Sequence, residues 1–281
     1  GSTTDGKLDA LKFVPASSVG LIKGTFTADM SSEGQSVEYH SIALDISIDS
    51  PTHSGLAAIT FVDTCLTHLP CLVPVVVALK SWLRPAMLTD SYQGGLPPYA
   101  LFLLSLASAL RLCEAMRVMD RNGFTGDTSG RVGGGASNGA SQATSLSSSL
   151  VDNVVTATKA ARGRACAQEI ITRADEHTSS RLQSSDVLLD VLGLLEDMLL
   201  NRLGVDSTMR FTSIAREHAN STDPLVVIDP LFGENVAKSC FKLDTIAMLF
   251  ESALERSRLT TMKSTHNEDG LLWDILQHLD A

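Results

Sequence analysis

The sequence predicts an α+β fold: a small β portion at the N-terminus leading into a mainly helical body. Three observations carry this. Between Val37 and Ile48 the chain alternates, with Ile42, Leu44, Ile46 and Ile48 apolar and Ala43, Asp45, Ser47 and Asp49 between them. From Leu56 onward apolar residues recur at helical spacing. A tract from Arg121 to Ser149, holding seven of the chain's 20 glycines and several serine runs, divides the helical part in two. With 281 residues, 44% of them hydrophobic, the chain can bury the core of one large domain or two small ones.

The elements follow in order. Ser18–Phe26 and Val37–Ile48 read as strands, and Ala43, Asp45 and Ser47 share a face opposite the isoleucines. Residues Ser50 to Gly55 break the second strand and offer helix caps. Leu56–Leu69 is a first helix, Pro74–Leu83 a second with proline in its first turn, and Leu96–Met119 a long third. The Gly/Ser tract has almost no large apolar residue, so burial cannot offset the entropy of ordering it. It reads as a disordered insertion, in the plainest case a loop without function. Helical pattern resumes weakly over Val151–Ala174 and strongly over Val187–Leu203, with Ser184, Ser185 and Asp186 as caps and Gly204 as a stop. Pro224–Ile228 reads as a short strand. Ser239–Leu259 and Asn267–Leu279 read as the last helices.

Composition excludes several functions. The 22 basic and 32 acidic side chains give a net charge of −10, unlike a self-sufficient nucleic-acid binder with clustered cations. Aromatic residues are 5%, too few for an extended stacking platform. The five cysteines are odd in number and lack Cys-x-x-Cys spacing, as expected of reduced, mostly buried thiols in an intracellular protein. Cys65, His68 and Cys71 lie three apart, but Pro70 interrupts them and no second ligand cluster is near in sequence, so core packing is the expectation. The most apolar stretch, Leu96–Leu110, is shorter than the ~20 residues a bilayer requires, and no signal peptide is visible.

The residues with chemical potential come in two blocks. Lys80 and Arg84 are i and i+4 on the second helix, able to grip a polyphosphate or to stand as two solvated charges. Asp90-Ser91-Tyr92-Gln93-Gly94-Gly95-Leu96-Pro97-Pro98-Tyr99-Ala100-Leu101 follows. Gly94 and Gly95 let the backbone approach a ligand closely or turn sharply. Tyr99, in the first turn of the next helix, offers a ring to a base. The second block is Leu225-Val226-Val227-Ile228-Asp229-Pro230-Leu231-Phe232-Gly233-Glu234-Asn235-Val236, continuing through Lys238 to Cys240.

A basic helix, then Asp-x-Tyr-x-Gly-Gly-Leu-x-x-Tyr-x-Leu, then a long apolar helix resembles the nucleotidyltransferases of the DNA polymerase β superfamily that extend RNA 3′ ends. The chain is most similar to the non-canonical poly(A) polymerases, with terminal uridylyltransferases as near relatives. The second block resembles the Asp-Pro-Leu…Asn-Val segment of their poly(A)-polymerase-associated region, and Leu192-Gly193-Leu194-Leu195 the helix before it. The resemblance runs from about Val19 to Leu259, interrupted by the insertion. It implies residues 1–52 as the C-terminal part of a catalytic palm and 53–120 as the first part of a helical nucleotide-binding domain. The insertion then covers 121–150, and the helical poly(A)-polymerase-associated part covers 151–281.

The resemblance also implies roles. Three palm carboxylates hold two Mg2+ (or Mn2+) ions in the family, and by order and context the third matches Asp45; without the family it is an exposed strand carboxylate. Lys80 and Arg84 match the two cations that contact the triphosphate, the second usually lysine. Tyr99 matches the tyrosine that stacks on the base, but Pro98 stands where a hydroxyl residue is common and cannot donate. Glu234 and Asn235 fall in the loop that reads the base edge, with a slight lean to adenine. Lys238 is either a supporting cation or a surface lysine. No Gly-Ser motif with an Asp-x-Asp precedes the first strand, so the chain is expected either to begin inside the palm or to lack those residues, and not to catalyse transfer alone.

The implied activity is template-independent addition of AMP from ATP to an RNA 3′ end by two-metal catalysis. The alternatives are a uridylyltransferase and an inactive scaffold subunit of the same fold. The implied partners are RNA, a nucleoside triphosphate and a basic RNA-binding subunit that compensates for the charge of −10, with no membrane. The adenylating group favours the nucleus, with cytoplasm and mitochondrion open.

Overall fold

A computed structural model describes residues 6–15, 20–29, 39–47, 55–123, 148–200, 203–213 and 223–263. It is an α+β structure. Strands β1 (Gly6–Pro15), β2 (Gly20–Asp29) and β3 (Tyr39–Ser47) form an antiparallel sheet in the order β1-β2-β3. The alternation read in β3 aligns across the sheet: Leu8 pairs with Phe26 and Phe26 with Ile42, while Phe13 pairs with Ile22 and Ile22 with Ile46. A bulge between Asp9 and Lys12 shifts the register of β1 by one residue and returns Phe13 to the face of Leu8. That face carries Phe13 and Ile42 at 63% and 55% exposure.

The helical body comprises α1 (Gly55–His68), α2 (Leu72–Leu83), α3 (Pro98–Gly123), α4 (Ser148–Ile171), α5 (Glu176–Arg181), α6 (Ser184–Leu200) and α7 (Leu243–Lys263). A two-stranded ribbon, β4 (Gly204–Val205) with β5 (Phe211–Thr212), lies between α6 and α7. Every residue from Leu101 to Leu110 of α3 is buried, which makes α3 the central helix. By length and composition Pro98–Asp120 could cross a bilayer, longer than the stretch read from sequence, yet most of it is buried inside the protein as in a core helix. Ser105 is accommodated there by donating to the Leu101 carbonyl at 2.9 Å. Phe61 of α1 meets Phe102 of α3 edge to face, with ring centroids 6.3 Å apart.

α1 packs closely on α4 because Gly163 has no side chain: a Cβ there would collide with the Ala57 carbonyl. The C-terminal half of α3 is tied to its neighbours by ion pairs. Arg111 reaches Asp190 of α6, Arg117 binds Asp175 at 2.6 Å, Arg173 binds Glu114 at 2.7 Å and Arg181 binds Asp120 at 2.9 Å.

Several boundaries differ from expectation. β1 is an additional strand. Pro74 is the third residue of α2, where its missing N–H still costs no helical bond. Gly204 opens β4 instead of merely stopping α6. Pro224–Ile228 forms no regular strand, only bridges from Val227 to Val205 and from Ile228 to Asn235. Residues 121–123 and 148–150 of the expected insertion belong to α3 and α4. Residues 124–147 and the expected helix Asn267–Leu279 lie outside the described residues. The five cysteines are free thiols. Burial pushes Cys65 and Cys240 up to about 12.

Candidate functional site

The end of α2 retains the spacing read in sequence. Arg84 follows the last helical residue but keeps α-helical torsions (φ −63°, ψ −47°), and its N–H donates to the Lys80 carbonyl. Both side chains are exposed, and neither forms an ion pair among the described residues. Cations at a helix C-terminus are favoured by the helix dipole, so the position is comfortable even without a ligand. In a chain where acids outnumber bases, two such cations without carboxylate partners remain available to an anion.

The double glycine follows a sharp turn. Asp90 accepts from the Tyr92 N–H at 2.9 Å and caps a single 3-10 turn, Ser91–Gln93, which ends at Gly94 in the left-handed conformation (φ +81°). The ring of Phe241 occupies the space a Gly94 side chain would need. A Cβ on Gly95 would strike the backbone of Leu88, to which the Leu96 N–H donates at 2.7 Å. Gly94 and Gly95 are both buried, so of the two uses left open for them the structure displays the sharp turn and close packing. Met87, in the connection before them, also stands at positive φ, +57°.

Pro98 is the first residue of α3, where its fixed φ suits a helix start. Tyr99 follows, half-buried and stacked at 13° on Phe102 with centroids 6.5 Å apart. Its hydroxyl donates to Asp229 at 3.2 Å. Asp229 is buried, and burial pushes its carboxyl above the usual range, while the Leu231 N–H (2.9 Å) and the Tyr99 hydroxyl act against that shift. Burial and the neighbouring Asp229 charge likewise raise Tyr99, keeping its hydroxyl protonated.

The loop holding Glu234 and Asn235 is internally braced. Asn235 accepts from the N–H groups of Val227 and Ala237, each at 3.0 Å. It donates to Asp223 and to the Leu225 carbonyl, each at 2.9 Å. All four capacities of the amide are thereby used, so its expected offer of donor and acceptor to a base is replaced here by a role in holding the loop. Glu234 and Lys238 are exposed. From α4, Arg162 donates to the Leu231 carbonyl and lies 4.9 Å over the Phe232 ring. Cys166 donates to the Pro230 carbonyl at 3.6 Å.

The two blocks are therefore joined. Tyr99 bonds Asp229, the Lys242 N–H donates to the Gly94 carbonyl at 2.9 Å, and Phe241 covers Gly94. Trp82, between Lys80 and Arg84, stacks on Phe250 of α7 at 11° with centroids 5.5 Å apart. Sequence reasoning assigned no role to Asp229, Phe241 or Arg162. Asp229 had a signal, a carboxylate inside an otherwise apolar run; Phe241 and Arg162 had none.

Asp45 lies in β3, in register with Lys23 of β2. Two-metal chemistry requires several converging carboxylates. Among the described residues no three His, Cys, Asp or Glu side chains converge. No metal-dependent step is assigned to them. The chain was also compared with protein-family models and with curated proteins. It matches none of them.

Proposed function

We propose that this chain carries the nucleotide-binding region of a template-independent RNA 3′-nucleotidyltransferase, most similar to the poly(A) polymerases that use ATP. The observation that carries this reading is the Tyr99–Asp229 hydrogen bond, between residues 130 positions apart in the two sequence blocks. Two unrelated segments have no reason to meet through the residues on which their resemblance rests. In this reading Lys80 and Arg84 counter the triphosphate charge. Tyr99 stacks on the base, Asp229 positions Tyr99, and exposed Glu234 accepts from the base edge. Lys238, exposed beyond Glu234 in the second block, supports the anion.

The test is equilibrium binding of a fluorescent ATP analogue to the purified chain. Lys80→Ala, Arg84→Ala and Tyr99→Ala are each expected to weaken it about tenfold. Competition by unlabelled ATP against UTP separates adenylate from uridylate use. Failure of the wild-type chain to bind either nucleotide at millimolar concentration overturns the reading.

A further inference from the structure

In the helical body the two most exposed aromatic side chains among the described residues flank one glycine, Gly94, Phe241 by contact and Tyr92 by its place in the chain. Tyr92 is 88% exposed and Phe241 67% exposed. Phe241 rests against Gly94, and Tyr92 lies two residues before it with its backbone fixed by Asp90. Among the other aromatic rings, Trp82 stacks on Phe250 and Tyr99 on Phe102, while Phe232, 39% exposed, lies under Arg162. Two uncovered rings on a braced turn are large apolar surface left in water, which folding alone does not explain.

Their surroundings indicate what covers them. Lys242 is adjacent to Phe241 and bonded through its N–H to Gly94, and Arg84 and Lys80 stand on the helix entering the same turn. None of these cations has a carboxylate partner among the described residues. Two acids are close in sequence. Asp90 is engaged with the Tyr92 N–H, and Asp244 sits in the first turn of α7, where the helix dipole favours it.

We propose that Tyr92 and Phe241 form a short stacking ledge for unpaired bases of the RNA strand, adjoining the nucleotide site. The proposal rests on the nucleotidyltransferase reading and extends it to how the strand is held. Stacking needs no base-edge contacts, so the ledge is indifferent to sequence. With two rings and few cations it holds a strand weakly, which suits a chain of net charge −10 acting with a basic partner.

The test is fluorescence anisotropy of a labelled single-stranded adenosine dodecamer with the purified chain at low salt. Tyr92→Ala and Phe241→Ala are each expected to weaken binding about tenfold, and Phe241→Trp to retain it. Binding of the fluorescent ATP analogue is expected to be unchanged in all three. Tyr92→Ala guards against misfolding, because its side chain packs on almost nothing; circular dichroism melts check both alanine variants. Unchanged affinity in the double variant overturns the ledge, as does absence of oligonucleotide binding by the wild type or equal affinity for a duplex of the same length. Loss of ATP binding with ring-dependent oligonucleotide binding intact overturns the nucleotide-site reading instead.

Discussion

At the scale of single residues, Tyr99 and Asp229 depend on each other. In the proposed function the tyrosine ring offers a face to a base, while its hydroxyl satisfies a carboxylate that burial makes costly to ionise. Tyr99→Phe separates these two functions. It leaves the ring in place but removes a hydrogen bond from buried Asp229. Urea unfolding is expected to show a loss of about 1–2 kcal/mol. Affinity for the ATP analogue should fall far less than in Tyr99→Ala; an equal loss in both variants would mean that the hydroxyl, and not the ring, serves the nucleotide. Asn235 illustrates the limit of reading such residues from sequence. Its type and place suited a base-reading group, and only the positions of Val227, Ala237, Asp223 and Leu225 reveal that its amide is fully engaged. Lys80 and Arg84 are the reverse case, since i and i+4 spacing fixes their common face whatever the tertiary structure does.

At the scale of elements, legibility followed the regularity of the pattern. β3 alternates without interruption and was readable to within a few residues. β1 was not, because its bulge changes parity: Leu8 and Phe13 share a face although they are an odd number of residues apart. Leu101–Leu110 is apolar enough to be buried on every side, so α3 was plain. The segment 224–228 is apolar yet forms only isolated bridges, because it packs as part of a braced loop and does not join a sheet. The α1–α4 contact was invisible for another reason. A glycine in a helical pattern looks like a weak point, yet Gly163 is where the Ala57 backbone comes close. Gly163→Ala would improve helix propensity by up to about 1 kcal/mol. The collision with Ala57 is expected to outweigh this, for a net loss of about 1–3 kcal/mol. A rise in the thermal midpoint of this variant would refute the close crossing.

At the scale of the whole molecule, acid stability is set by carboxylates of opposite behaviour. Arg117 and the Thr178 N–H hold Asp175 well below the usual carboxylate range, while burial holds Asp229 above it. A lowered pKa contributes stability that is present above the unfolded value of about 4 and is lost as pH falls below it. A raised carboxyl pKa acts in reverse: protonating Asp229 on the way down towards pH ~4 removes a cost of the folded state. Unfolding free energy is therefore expected to drop once pH passes below about 4, where the unfolded chain takes up a proton at Asp175 while the Arg117-paired carboxylate of the fold stays ionised. Asp175→Asn should flatten that drop; an unaltered acid limb would assign the loss to other groups. The distribution of charge has a separate kinetic consequence. The ion-paired cations of α3 begin at Arg111, roughly 18 Å along the helix from Tyr99, whereas Lys80, Arg84 and Lys242, where α2 ends and α7 begins, have no carboxylate partner among the described residues. A polyanion approaching this net-negative molecule is repelled by its overall charge and attracted where these three cations stand. Diffusional encounter would thus be oriented before any contact is made, and added salt should slow arrival more than it hastens departure.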